Sequence, residues 1–326
     1  MKYRTFGRTG LRVSEIVFGG GRVGGLLLFQ DDDTKRAAIR RALAGGVNWI
    51  DTAPSYGDGK SESALGWLLA EVEETPYLST KVGLDTDRLD DIPGQIEASL
   101  QASLTRLRRA SVDLLQLHNP IAPEVGDRAV TVDHVLRDGG VADGLDRMRA
   151  QGLTRFTGIT ALGDAGCCRQ VIESGRFDSA QVYYNLINPS AGRAVAAGWS
   201  GQDFGGVIAA CRGNDVAVMD IRVLAAGVLA TDRRSGRESP IAAGSSIEAE
   251  ERRAKAVFAA IGHDHGSRAQ TAIRFALANP DIACVIVGLA TLSHLEEALG
   301  AAEMGPLPDP ALARLDRFHA TELAGL

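Results

Sequence analysis

An alternation repeated eight times restricts this chain more than any other feature. Short runs rich in β-branched and apolar residues, at 15–19, 48–51, 77–81, 112–118, 155–160, 180–184, 216–221 and 283–287, give way to longer stretches with helical spacing. The stretch 61–71 carries Ala64, Leu65, Leu68 and Leu69 on one face, and 92–109 repeats apolar residues at Ile96, Leu100, Leu104 and Leu107. Helical patterns also cover 33–44, behind the polar cap run Asp31-Asp32-Asp33, and 143–150, 165–173, 205–212, 248–261, 268–278 and 292–301. Strand–helix alternation implies parallel strands joined by right-handed crossovers. Eight such units fit a closed α/β barrel, a (β/α)8 TIM barrel, better than an open doubly wound sheet. A hairpin of 3–6 and 11–14 around Gly7-Arg8-Thr9-Gly10 is expected to plug the barrel floor, and an extra helix is expected near the C-terminus. No composition break divides the 326 residues, so one barrel domain over 1–326 is expected. The Gly/Ser/Arg-rich stretch 231–246 reads as a long mobile loop.

Composition narrows the function. The net charge is −6 with no basic stripe, which argues against nucleic acid. No run of about 18 apolar residues exists for a membrane span, and Met1 to Arg8 lack the apolar core of a secretory signal. Cys167, Cys168, Cys211 and Cys284 form no CxxC pair and no zinc-ligand spacing, so reduced thiols in a cytoplasmic, metal-free protein are expected. No heptad seam or apolar exposed helix announces an oligomeric state.

In a parallel barrel the chemistry sits at the carboxyl ends of the strands. The second run ends in Asp51, the third in Lys81 and the fourth in His118, and Tyr56 follows Asp51 by five residues. Singly, each has an ordinary reading: a helix cap, a rim charge, a satisfied imidazole, a packed ring. Together, three successive strands deliver a carboxylate, an amine and an imidazole to one rim. Carbonyl reduction uses such a set. Hydride arriving at a carbonyl carbon leaves charge on oxygen, which needs a proton. A tyrosine hydroxyl can supply it when a neighbouring ammonium favours the phenolate. Asp51 would keep Lys81 charged and oriented, and His118 would hydrogen-bond the substrate oxygen.

These residues lie in strings that resemble the aldo-keto reductase family of bacterial type. Trp49-Ile50-Asp51-Thr52-Ala53-Pro54-Ser55-Tyr56-Gly57 resembles its signature around the Asp and catalytic Tyr. Ser79-Thr80-Lys81-Val82-Gly83 is similar to its Lys strand, Asp113-Leu114-Leu115-Gln116-Leu117-His118 to its His strand, and Phe6 to Ser14 to its opening. The matches keep the family's order from about residue 3 to residue 299. The resemblance implies a barrel that binds a nicotinamide dinucleotide without a Rossmann domain, and no GxGxxG follows a strand in a βαβ context here. It implies Asp51, Tyr56, Lys81 and His118 as the catalytic set. It implies cofactor contacts from Gly19 and Gly20 in the first βα loop, from Asp51, and from Gln181 and Thr160. Thr160 stands in Gly158-Ile159-Thr160-Ala161, where relatives show Gly-Val-Ser-Asn, so Ala161 lacks the Asn amide. Ile221, Arg222, Leu224 and Gly227 align with the segment facing nicotinamide and pyrophosphate. Ile221 replaces a stacking Tyr, and the Arg222 guanidinium suits a pyrophosphate. Gly288, Thr291, His294 and Glu297 align with the adenosine-phosphate site. NADP(H) is the expected cofactor, with NAD(H) or dual use the alternative because no Lys or Arg lies between Gly288 and Gly300.

Expected substrate contacts are Gly21, Val23 and Asn119, with Tyr56 and His118, and Trp199 and Phe204 could cap a small carbonyl, alcohol or sugar. Specificity is expected from the rim stretches 21–30, 119–140, 187–204 and 231–246. Two rivals stand beside the reductase: a catalytically idle, cofactor-sensing regulatory subunit of the same fold, and a barrel lyase using Lys81 as a Schiff base. The lyase needs a lysine of depressed pKa, which pairing with Asp51 would oppose.

Overall fold

Eight parallel strands close into a barrel in the computed structural model, which describes residues 1–323 apart from 235, 241 and 243. A hairpin of β1 (Tyr3–Thr5) and β2 (Arg12–Ser14) precedes it. The barrel comprises β3 (Ile16–Gly19), β4 (Trp49–Asp51), β5 (Tyr77–Val82), β6 (Val112–Leu117), β7 (Thr154–Ala161), β8 (Ser179–Tyr183), β9 (Ala217–Ile221) and β10 (Ile282–Gly288). Neighbours in sequence are neighbours in the sheet, and β10 closes against β3 with Gly288 opposite Gly19. One register shift occurs in the β9–β10 pair, between Ile282 and Cys284.

Side chains alternate across each strand. Those turned outward, among them Leu78, Val82, Leu115, Leu117 and Val182, meet the helices in one large apolar layer. Those turned inward at the lower end, including Val17, Trp49, Leu114, Met219 and Cys284, form a second cluster with Phe6 and Val13 from the hairpin. The hairpin therefore plugs the floor, as expected. Gly7 permits it: φ is +48°, and a Cβ there would lie 2.5 Å from the Asp215 carbonyl oxygen. The floor is sealed with apolar side chains, so polar groups concentrate at the other end.

Helix boundaries differ from expectation where local capping decides. The stretch 61–71 is helical over Lys60–Leu68, and 92–109 ends at Leu107 because Arg108 turns left-handed at φ +54°. The helix expected over 292–301 runs Leu292–Met304, and the C-terminal helix is Asp309–Thr321. Short helices Leu26–Phe29 and Val132–Leu136 stand in rim loops that carry no helical periodicity. Expected mobility in 231–246 falls in part on 235, 241 and 243, outside the described residues. Three of the others make contacts outside the stretch: Arg268 binds Asp232 at 2.6 Å, Arg234 pairs with Glu251, and Arg222 Nη1 donates to Ser239 O at 2.7 Å. Arg237 Nε reaches Val23 O, across the mouth, at 3.3 Å.

Candidate active site

Strand parity brings three of the expected residues inside. Trp49 shares an inward face with Asp51, and Tyr77 and Ser79 share one with Lys81; Leu114 and Gln116 share that of His118. Floor residues below and reactive residues above thus follow from the same period of two. His118 stands one residue past β6, its backbone N–H still donating to Val82 O at 2.8 Å.

Asp51 and Lys81, 2% and 1% exposed, form the centre of the site. Lys81 Nζ donates to Asp51 Oδ2 at 2.6 Å, to Thr52 O at 2.8 Å and to the Tyr56 hydroxyl at 3.2 Å. All three ammonium protons are thereby used. Asp51 Oδ1 accepts from Ser79 Oγ and from Gln181 Nε2, each at 2.8 Å. Burial alone would lower the Lys81 pKa, but the Asp51 carboxylate and then Tyr56 hold it above the usual lysine range. A lysine so held is an ammonium, which opposes the Schiff-base reading.

Tyr56 comes from the turn after β4. Its N–H donates to Ala53 O at 3.1 Å and its carbonyl accepts from Ser61 N at 3.2 Å. The chain then passes through Gly57, Asp58 and Gly59, at φ +63°, +52° and +82°, to enter the helix Lys60–Leu68. Three successive left-handed residues reverse the backbone and leave the Tyr56 ring over the barrel, with Lys81 Nζ 4.9 Å from its centroid. The His118 ring meets it edge-on at 6.0 Å. Burial, then the nearby Lys81 and Arg128 cations, pull the His118 pKa down to about 3, so its imidazole is neutral.

Of the expected cofactor residues, Thr160, Gln181 and Ile221 lie on β7, β8 and β9, Gly288 ends β10, and Gly19 and Gly20 lie beside Asp51. Thr160, on β7, is 2% exposed, and its Oγ1 has no hydrogen-bond partner among the described residues. Gly288 is open to the mouth, where a Cβ would meet only Gly24 N at 3.8 Å, and Gly227 has nothing within 4 Å. An orphaned hydroxyl and two glycines with free space fit a ligand of the dinucleotide kind. Gly19 and Gly20 instead face protein: a Cβ on Gly19 would lie 2.8 Å from Val287 O, and one on Gly20 2.6 Å from Ser61 Oγ. The nearness of ligand to those two would come through their backbone. Gln181 spends its amide nitrogen on Asp51, leaving its carbonyl oxygen for a ligand. Ile221 is half-buried at the top of the inner cluster, and Leu224 and Gly227 lie in or beside the turn Ala225–Gly227, beyond the strand. Arg222 is left-handed at φ +60° with one guanidinium nitrogen on Ser239 O. Thr291 caps the helix Leu292–Met304 through His294 N, while His294 is exposed and accepts from Ala290 N at 3.4 Å. Glu297 is half-buried on that helix.

Among the expected substrate contacts, a Cβ on Gly21 would meet the Tyr56 ring at 3.7 Å and its hydroxyl at 4.0 Å, in ordinary contact, so Gly21 faces Tyr56. Val23 is half-buried at the mouth under Arg237. Asn119 needs correction: its amide is committed to Leu84 N at 2.6 Å, Leu84 O at 3.1 Å and Arg128 O at 2.8 Å. It fixes two rim loops rather than facing a substrate. Phe204 is likewise buried, packed on Tyr183 at 5.2 Å, and Trp199 lies under Arg253 at 5.2 Å. Phe29, in the loop after β3, is 57% exposed beneath the Arg237 guanidinium.

Sequence reasoning missed Ser79, which accepts from Trp49 Nε1 at 3.0 Å while donating to Asp51. Parity along Tyr77, Ser79 and Lys81 could have found it. It also missed Ser55, whose Oγ lies 3.5 Å from His118 Nδ1; adjacency to Tyr56 was the available signal.

Comparison with known proteins bears on this geometry. The model of the Aldo/keto reductase family matches residues 15–320. The chain is 27% identical over 311 residues to L-galactose dehydrogenase of Arabidopsis thaliana, covering 92% of this chain and 88% of that protein. It is 28% identical over 257 residues to a D-threo-aldose 1-dehydrogenase of a Pseudomonas species, covering 70% and 71%. Among solved structures, the holo form of the aldo-keto reductase AKR11C1 from Bacillus halodurans superposes with a TM-score of 0.76 at 20% identity, covering 99% of this chain and 98% of that one. That likeness supports the fold.

Proposed function

The chain belongs to the aldo/keto reductase family, and from that premise we propose that it is an NAD(P)(H)-dependent oxidoreductase. It interconverts an aldehyde or ketone with the corresponding alcohol or sugar, with Tyr56 as general acid and base. The observation that carries this reading is the Lys81 ammonium, tied to Asp51 at 2.6 Å and donating to the Tyr56 hydroxyl at 3.2 Å. When bound, the nicotinamide supplies or accepts the hydride.

Tyr56 gives its hydroxyl proton to the carbonyl oxygen as the carbon is reduced, and takes it back when the alcohol is oxidised. Lys81 stabilises the phenolate left behind. Asp51, held by Ser79 and Gln181, keeps Lys81 charged and aimed. The neutral His118 hydrogen-bonds the substrate oxygen and orients it without sharing its proton. Thr160, Gln181, Arg222 and the Gly288 to Glu297 segment would hold the dinucleotide, while Gly21 and Val23 line the substrate side. The names of the two sugar dehydrogenases support a sugar as substrate.

The proposed cofactor is NADP(H). NAD(H) is a second reading, favoured by the absence of Lys and Arg between Gly288 and Gly300, and the ratio of the two dissociation constants decides between them. For the catalytic assignment, Tyr56→Phe should lower turnover by about 10²–10⁴-fold. The change in NAD(P)H fluorescence on binding should persist. A fully active variant refutes the role given to Tyr56.

A further inference from the structure

We propose that Ser55 sets the tautomer of His118. Its hydroxyl donates to Nδ1, so that Nε2 carries the ring's proton and presents an N–H to the substrate oxygen. This rests on the orienting role given to His118 above.

A neutral imidazole has one donor nitrogen and one acceptor, and the hydrogen bond made at one decides the state of the other. His118 is in that position. The charged groups facing it, Lys81 from β5 and Arg128 from the loop beyond β6, are both cations that disfavour a second proton on the ring. Lys81 cannot serve as the donor, because its three protons go to Asp51, Thr52 and Tyr56. Tyr56 turns its ring edge-on to the imidazole at 84°. Among the described residues, Ser55 Oγ is the hydrogen-bond partner of the ring, 3.5 Å from Nδ1. That separation is long, and catalytic contacts of this kind commonly tighten only in the reacting complex.

The direction of this bond has a chemical consequence. With Ser55 donating, Nε2–H meets the carbonyl oxygen as a donor, as orientation of a carbonyl requires. With Nδ1–H donating to Ser55, the Nε2 lone pair would face the carbonyl lone pairs. Ser55 is exposed and immediately precedes Tyr56, so the turn that delivers the proton donor also delivers the residue that aims its substrate. Ser55 acts through His118 and is a positioning residue.

The test is side-chain nitrogen NMR on the full chain labelled with ¹⁵N-histidine, the His118 signals being identified by their loss in His118→Asn. The wild type should show Nε2–H with an unprotonated Nδ1. Ser55→Ala should shift the ring toward a tautomer mixture, and Ser55→Thr should restore it. In turnover, Ser55→Ala should lose about 2–10-fold in kcat/KM, the worth of one hydrogen bond. Cofactor affinity should be unchanged, Thr should rescue the loss, and no further loss should follow in the His118→Asn background. An Nδ1–H ring in the wild type, or an unchanged tautomer in Ser55→Ala, overturns the proposal. The NMR readout does not depend on turnover, so failure of the oxidoreductase reading would be seen separately.

Discussion

At the ends of β4, β5 and β6, Asp51 accepts three hydrogen bonds and Lys81 donates three. Across the mouth, among the described residues, Thr160 Oγ1 is buried without a partner, Gly227 and Gly288 face open space, and the Arg222 guanidinium donates to the Ser239 carbonyl. The Asp51–Lys81 pair of the first wall is satisfied by the protein itself and is set in place before any ligand arrives. The second keeps its bonding capacity for something else. A reaction that forms charge gains from groups already held where that charge develops, because no reorganisation is then needed. A site that must bind and release a dinucleotide on each turnover gains from unspent donors and room. The walls should therefore respond differently to substitution.

The largest effect is expected on the first wall. Lys81→Met strips Asp51 of its buried counter-charge and should cost about 3–5 kcal/mol of stability together with turnover. Thermal unfolding and initial rates measure the two losses. Retained stability would mean that Ser79 and Gln181 alone satisfy Asp51, and would weaken the contrast between the walls.

An intermediate effect is expected behind the second wall. Met219 and Ile221 point into the barrel, so Asp220 points outward with Val218. It is 0% exposed and neither carboxylate oxygen has a well-formed hydrogen bond among the described residues. Burial, against a weaker contribution from the Tyr184 N–H, raises its pKa well above the carboxylate range. The folded protein therefore binds this proton more tightly than the unfolded chain. Its stabilising contribution is complete below the unfolded pKa, near 3.9, and is lost as pH rises through the folded value. Asp220→Asn should then raise the Tm by about 2–4 °C at neutral pH. The gain should shrink toward zero in acid, as Tm measured across pH would show. A gain independent of pH would contradict the burial of a proton at Asp220.

The smallest effect sharpens the comparison most directly. Thr160→Val removes a hydroxyl with no partner among the described residues, so stability should hold or rise slightly. Affinity for NAD(P)H should fall by about 2–10-fold in a fluorescence titration. If stability falls and affinity does not, Thr160 belongs with the satisfied wall.

Much of this was legible in the sequence for reasons of period. Alternation of two on strands and of about 3.6 on helices marked the eight units, and position at a strand end marked Asp51, Lys81 and His118. What escaped were contacts made between segments far apart in the chain. The commitment of Asn119 to Leu84 and Arg128, the seating of Phe204 on Tyr183, and the Gln181–Asp51 bond across 130 residues depend on how loops and strands meet in space. The ends of helices escaped where a left-handed residue such as Arg108 stops a periodic run early.

By itself the sequence determined the order of strands and helices, the inward parity of the reactive residues and the family strings around them, because these are local properties of the chain. Only the tertiary structure decided which polar groups spend their hydrogen bonds within the protein and which keep them for a ligand. That distinction separates Asp51 from Thr160, and a hydrogen bond is made by whichever partners barrel closure brings within about 3 Å.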